Sequence, residues 1–354
     1  MSRFLNKKLS ALKAYVPGEQ PKIKRYIKLN TNESPYPPPK CVADAVGRQE
    51  IEDLRLYSDP ECTALKAKLS DLYGVKEKNV FLSNGSDEIL NFAFMAYGEN
   101  GAVFPDITYG FYSVFADLYG VNAEIVPLND DFTVDINAFC GKNRLVVLAN
   151  PNAPTGIALG LSEIEKIVSS NPDGVVIIDE AYVDFGAQSA YKLTEKYDNL
   201  LVVETYSKSR SMAGARLGFA FADEGIISDL ERIKYSTNPY NINRITQIAG
   251  TAALVNQEYF NENCRKIAET REYVKEELKK MGFTVTDSVA NFLFAKSDKI
   301  SGSKLYTSLK ERGILIRHFE AERIKDYNRI TVGSREEMEI FLDAVREIII
   351  GDIV

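Results

Sequence analysis

Three short apolar runs, each uninterrupted and each released into a polar turn, constrain this chain more than any other feature. They are Leu145-Val146-Val147-Leu148, Val175-Val176-Ile177-Ile178 and Leu200-Leu201-Val202-Val203. Runs with no polar alternation, one of them wholly β-branched, suit strands covered on both faces, as in a parallel sheet wrapped by helices. The segments that follow are Asn150-Pro151-Asn152-Ala153-Pro154-Thr155-Gly156, Asp179-Glu180-Ala181-Tyr182 and the stretch from Ser207 to Arg216. In an open α/β sheet the carboxyl ends of parallel strands share one edge, and ligands bind there. The spacing therefore predicts that Asp179 and Lys208 emerge side by side.

The rest of the chain fits the same α/β plan. Further strands are predicted at residues 79–82, 102–104, 123–126 and 217–222. Helices are predicted at 64–73, 88–97, 111–119, 162–169 and 244–255. A long charged amphipathic helix over 261–280 leads into a second alternation, with strands at 283–285, 291–295, 314–317 and 329–332 and helices near 303–311 and 335–348. This predicts a large, mainly parallel-sheet domain over 41–256 and a smaller α+β domain over 257–354. Residues 1–40 form an arm and linker, stiffened by Pro35-Tyr36-Pro37-Pro38-Pro39.

Composition removes several function classes. A formal net charge of -7 argues against a general nucleic-acid binder. No apolar run approaches the ~20 residues that cross a bilayer. The four cysteines form no C-x-x-C pair and suit reduced thiols rather than metal ligands or staples, so a cytoplasmic protein without a metal centre is expected. The first 13 residues are basic but lack a signal-type apolar core, which favours an arm over a targeting segment. A single histidine, His318, excludes H-E-x-x-H chemistry and disfavours a Ser-His or Cys-His triad. Neither a G-x-x-x-x-G-K-[ST] loop nor a G-x-G-x-x-G fingerprint occurs, so nucleotide hydrolysis and hydride transfer lose their main support.

Each polar motif has an ordinary structural explanation by itself: a proline turn, a strand-exit acid, a solvated basic loop. Their order is far more specific. A turn motif, then strand-Asp-x-x-Tyr, then Ser207-Lys208 with Arg216 eight positions on, resembles the fold-type I pyridoxal-phosphate aminotransferases. Within them the chain resembles the histidinol-phosphate aminotransferase group. Supporting segments run from Tyr15-Val16-Pro17-Gly18 to Arg329-Ile330-Thr331-Val332-Gly333. They include Leu29-Asn30-Thr31-Asn32-Glu33-Ser34-Pro35, Tyr57-Ser58-Asp59-Pro60, Gly85-Ser86-Asp87-Glu88 and Thr108-Tyr109-Gly110.

The resemblance implies pyridoxal 5'-phosphate as cofactor and assigns roles. Lys208 is the attachment lysine and the acid and base, Asp179 faces the pyridine nitrogen, and Tyr182 contacts the ring oxygen. Gly85, Ser86 and Asp87, at a predicted helix start suited to a phosphate, act with Thr205, Ser207 and Arg216. Tyr109 stacks on the ring. Tyr57 reaches the neighbouring subunit's cofactor, which implies a homodimer with shared sites. Tyr15, Asn32, Arg317 and Arg329 bind substrate, a small molecule carrying an anion. One position departs from the family pattern: Ala153 stands where asparagine usually precedes Pro-Thr-Gly. Either Asn152 shifts in to replace it, or Tyr182 bears the ring-oxygen contact alone. The expected activity is transfer of an amino group from histidinol phosphate to 2-oxoglutarate. An aromatic amino-acid aminotransferase, a threonine-phosphate decarboxylase and a non-catalytic cofactor-binding regulator remain as alternatives.

Overall fold

The computed structural model describes residues 4–6, 9, 10, 12–20 and 26–351. Much of the predicted basic arm over residues 1–13 and the last three residues of the chain lie outside the described residues. Thirteen strands are described: β1 (Ile27–Lys28), β2 (Val80–Ser83), β3 (Ala102–Pro105), β4 (Ala123–Val126), β5 (Leu145–Ala149), β6 (Val176–Asp179), β7 (Leu200–Thr205), β8 (Gly218–Ala222), β9 (Phe283–Val285), β10 (Phe292–Ser297), β11 (Ile314–Leu315), β12 (Arg317–His318) and β13 (Asn328–Thr331). The helices are α1 (Lys40–Ala45), α2 (Arg48–Glu52), α3 (Thr63–Tyr73), α4 (Ser86–Tyr97), α5 (Phe111–Tyr119), α6 (Leu161–Ser169), α7 (Glu224–Thr237), α8 (Arg244–Ala253), α9 (Gln257–Lys280), α10 (Gly302–Glu311) and α11 (Arg335–Gly351).

Seven strands form one sheet in the order β2-β8-β7-β6-β5-β3-β4, and β8 alone runs against the others. Side chains on a strand alternate between faces, and both faces here are apolar. Val147, Ile177 and Leu201 pack with Ile89, Phe92 and Phe115 from α4 and α5. Their neighbours Val146, Val176 and Leu200 pack with Ile164, Ile167 and Val168 of α6 on the other side. Two covered faces explain why these strands read as unbroken apolar runs.

The second sheet has the order β12-β13-β10-β9, all antiparallel. Leu293 and Ile330 on it pack against Val274 of α9, Leu305 of α10 and Phe341 of α11. The predicted strand over 314–317 is instead two pieces. Ile314–Leu315 pairs in parallel with β1, and Arg317–His318 pairs with β13. The split lets one end serve the amino-terminal segment and the other present Arg317 opposite Arg329. Helix α7 was absent from the sequence reading. Its buried face combines Ile226, Ile227 and Leu230 with Lys234, so a lysine interrupts the apolar stripe. Arg271 of α9 joins the layers, donating to the carbonyls of Phe185 at 3.0 Å and Ala290 at 2.9 Å. That contact anchors the loop after β6, which carries Tyr182.

Candidate active site

The carboxyl ends of β5, β6 and β7 open onto a cavity of about 310 Å³. Because β8 is reversed, its entry residue Arg216 reaches the same edge, as does the start of α4 following β2. One end of the cavity is built for an anion. No side chain caps α4, and Ser86 and Asp87 of its first turn wall the cavity with Thr205, Ser207 and Arg216. The first N–H groups and the dipole of a helix favour negative charge. The Arg216 guanidinium makes long contacts, 3.3 Å to Asp87, 3.4 Å to the Ser207 hydroxyl and 3.5 Å to the Ala213 carbonyl. Gly85 has φ +82°, and a Cβ there would lie 2.6 Å from Arg216 Nη2. At Gly218 a Cβ would lie 2.4 Å from the Ser86 nitrogen, so only glycine lets β8 pass this close to the helix start.

The opposite end is built for a cation. Asp179 ends β6 with its carboxylate buried, accepting from Tyr112 Oη at 2.8 Å and from the Ala181 amide at 3.3 Å. Burial raises its pKa from 3.8 to about 6, against the stabilising bond from Tyr112. Between the two ends, Lys208 projects from the turn after β7 and donates to the Thr31 carbonyl at 3.0 Å. Its Nζ stands 5.7 Å from the centre of the Tyr182 ring. Tyr109 donates to Asp87 at 2.8 Å, and burial pushes its phenol well above the usual range.

Lys208, Asp179, Tyr182, Ser86, Asp87, Tyr109, Thr205, Ser207, Arg216 and Tyr15 all wall this cavity. Other expected site residues stand elsewhere. Asn152 does not shift into the position that Ala153 vacates. Its amide is buried and spent on the Ile107 carbonyl and the hydroxyls of Thr108 and Thr155, while Ala153 itself walls the cavity. Asn32 is wholly buried and donates to Tyr182 Oη at 3.0 Å, so it stands behind the wall rather than on it. Tyr57 is 79% exposed and stacks on Tyr240 at 4.5 Å, outside the cavity of its own chain.

Arg317 and Arg329 are direct partners across β12 and β13 and are not among the residues of the cavity wall. Arg329 donates to the Asn30 carbonyl at 3.0 Å, but its buried Nε has no partner. Both arginines pull down the pKa of Tyr15, which burial raises on balance. Tyr15 stacks on Phe111 at 4.2 Å, and both rings wall the cavity. Sequence reasoning missed Tyr112, Thr31 and Phe111 as site residues. Tyr112 lies 67 residues from Asp179 and Thr31 lies 177 from Lys208, and no local pattern links such pairs.

The donor set fits pyridoxal phosphate. A weakly held guanidinium and an uncapped helix start suit its phosphate, a destabilised buried carboxylate suits its pyridine nitrogen, and an amine lies between them. Fold and cavity together define a pyridoxal-phosphate-dependent transferase of the fold-type I architecture. Residues 24–345 match the family model for class I and II aminotransferases. The histidinol-phosphate aminotransferase of Brachyspira hyodysenteriae is 50% identical over 352 residues, 99% of each chain. That of Clostridium acetobutylicum is 47% identical over 99% of this chain and 100% of its own. The crystal structure of the Sinorhizobium meliloti histidinol-phosphate aminotransferase in complex with pyridoxal-5'-phosphate superposes with a TM-score of 0.85. It shares 25% identity, covering 93% of this chain and 92% of that one. The chain belongs to the class I and II aminotransferases and, within them, to the histidinol-phosphate aminotransferase family. It is a pyridoxal-phosphate-dependent transaminase.

Proposed function

We propose that this chain moves the amino group of L-histidinol phosphate to 2-oxoglutarate, giving imidazole acetol phosphate and L-glutamate in histidine biosynthesis. We further propose that it works as a cytoplasmic homodimer. The observation that carries the substrate reading is the Arg317–Arg329 pair, with Arg329 Nε buried and unpartnered and both charges acting on Tyr15 of the cavity wall. Histidinol phosphate has no carboxylate, so its phosphate would use the arginines that grip glutamate in the other half-reaction. A planar guanidinium suits either anion. The names of the full-length relatives support the same substrate.

When bound, pyridoxal phosphate supplies an electron sink for the carbon that loses a proton. The chain's own residues do the rest. Ser86, Ser207 and Arg216 hold the phosphate end. Asp179 sets a negative charge at the far end, and Tyr112 keeps that carboxylate oriented. Lys208, the one lysine on the cavity wall among the described residues, takes up and returns the proton of the substrate's amine-bearing carbon through Nζ. Tyr15, held against Phe111, gives the cavity an aromatic wall.

An aromatic aminotransferase is the competing reading, and the two differ at Arg317. Arg317→Ala is expected to lower kcat/KM for histidinol phosphate by about 30-fold or more, equivalent to ~2 kcal/mol. Phenylalanine, relying chiefly on Arg329, should be far less affected. If phenylalanine is the better substrate of the wild type and the mutation barely moves the ratio, the histidine-pathway reading is wrong.

The dimer reading rests on Tyr57 and on the exposed apolar side chains near it, Ile51, Leu54, Leu56 and Tyr240. Mixing inactive Lys208→Ala chains with inactive Tyr57→Ala chains should restore activity. A hybrid dimer has one site with both residues and one with neither, so random exchange yields about a quarter of wild-type sites. Exchange without recovery would show that Tyr57 serves no neighbouring site.

A further inference from the structure

Three consecutive residues leading out of β1 have their carbonyl oxygens taken by side chains from three different elements. Arg329 of β13 donates to Asn30, Lys208 to Thr31 and Asn291 to Asn32, at 3.0, 3.0 and 3.1 Å. Asn32 sits at φ +56°, a left-handed conformation that asparagine tolerates better than most residues. Its backbone N–H donates to Thr331 Oγ1 at 3.0 Å, and the Thr331 hydroxyl donates back to Asn32 Oδ1 at 3.0 Å.

This exchange orients the Asn32 side chain. Thr331 is buried, and turning the amide over would leave its hydroxyl proton without an acceptor, which is costly away from water. Oδ1 therefore faces Thr331, and Nδ2 donates to Tyr182 Oη at 3.0 Å. A phenol that accepts from Nδ2 must donate its own proton elsewhere, and Tyr182 walls the cavity.

We infer that Asn32 is a positioning residue that turns the Tyr182 hydroxyl proton into the cavity, toward the oxygen substituent of the cofactor ring. The inference rests on the cofactor reading of this cavity. It matters more in this chain because Ala153 offers no hydrogen bond from the neighbouring wall. A donor held on that oxygen stabilises its negative charge, so the proton shared between the oxygen and the Lys208 nitrogen is bound less tightly. Threonine, asparagine and tyrosine thus form one relay of orientation, running from β13 to the reacting end of the site.

The test is a pH titration of the visible absorption band of the cofactor-loaded protein, in wild type, Asn32→Gly, Tyr182→Phe and the double variant. Glycine suits the left-handed backbone and removes only the amide. Each single change is expected to raise the titration midpoint by about one pH unit. The double variant should move no further than Tyr182→Phe alone, because the amide acts only through the hydroxyl. Should Asn32→Gly fail to fold, Thr331→Val removes the hydroxyl that orients the amide and permits the same comparison. A midpoint unchanged by the Asn32 or Thr331 substitution, or shifts that add fully in the double variant, overturns the proposal. A wild type that takes up no cofactor would overturn the reading of the cavity along with it.

Discussion

Lys208→Ala will abolish turnover, by ~10⁴-fold or more, while the variant melts within about 2 °C of the wild type. The separation between the two effects follows from where this side chain sits. Its described hydrogen bond goes to the Thr31 carbonyl at 3.0 Å, and a bond of that kind contributes about 1 kcal/mol net to folding. No other lysine walls the cavity among the described residues, so no second amine can take over the proton transfer. The phosphate end, built from Ser86, Ser207 and Arg216, is untouched, so the variant should still take up pyridoxal phosphate without linking to it. Borohydride treatment followed by peptide mapping checks this directly. Wild type should carry the reduced cofactor on Lys208, and the variant should carry none. Label on another lysine would mean that this turn is not the attachment point.

The parts of the fold legible in the sequence are those set by local pattern. β5, β6 and β7 each lie between two helix layers, so neither face needed a polar residue and the runs stood out. α9 was legible for the opposite reason, since its exposed face carries dense charge beside a regular apolar stripe. Helix α7 was not legible, because a buried lysine occupies part of the face that periodicity looks for. The strand predicted at 314–317 was visible as apolar sequence, but its division between two sheets depends on pairing with β13 on one side and with β1, nearly 290 residues earlier, on the other.

The site divides along the same line. Asp179, Lys208 and Arg216 announce themselves by position at strand ends, and the structure brings them to one cavity. Asn152 was placed by analogy with a missing neighbour, yet its side chain is taken by Thr155 nearby and by Ile107 and Thr108, over 40 residues earlier. Asn32 was expected to touch substrate. Its partner Thr331 is 299 residues distant, and only the folded chain shows the pair joined, with the Asn32 amide donating to Tyr182.

Asp179→Asn should cut turnover by about 10²–10³-fold, the usual effect of removing one preorganised charge from a reacting group. Stability of the cofactor-free protein should move in the opposite direction. Folding raises this carboxyl from 3.8 to about 6, chiefly by burial. Between those values the folded chain keeps a proton that the unfolded chain has released, so stability falls as pH rises through the window. Above pH 6 the full cost applies, about 3 kcal/mol for a shift of this size. Asparagine cannot ionise, and its side-chain oxygen can still accept from Tyr112. The cofactor-free variant should therefore melt higher than cofactor-free wild type at pH 7, on the order of 5 °C, and no higher at pH 4. Cofactor reverses the order. A protonated pyridine nitrogen facing the carboxylate offsets the cost of burying it, and a neutral amide gains little from the same neighbour. Calorimetry of both proteins with and without pyridoxal phosphate, at pH 4 and pH 7, tests all four arms. Turnover within tenfold of wild type, or a cofactor-free variant less stable than wild type at pH 7, would reduce Asp179 to an acid that merely ends a strand.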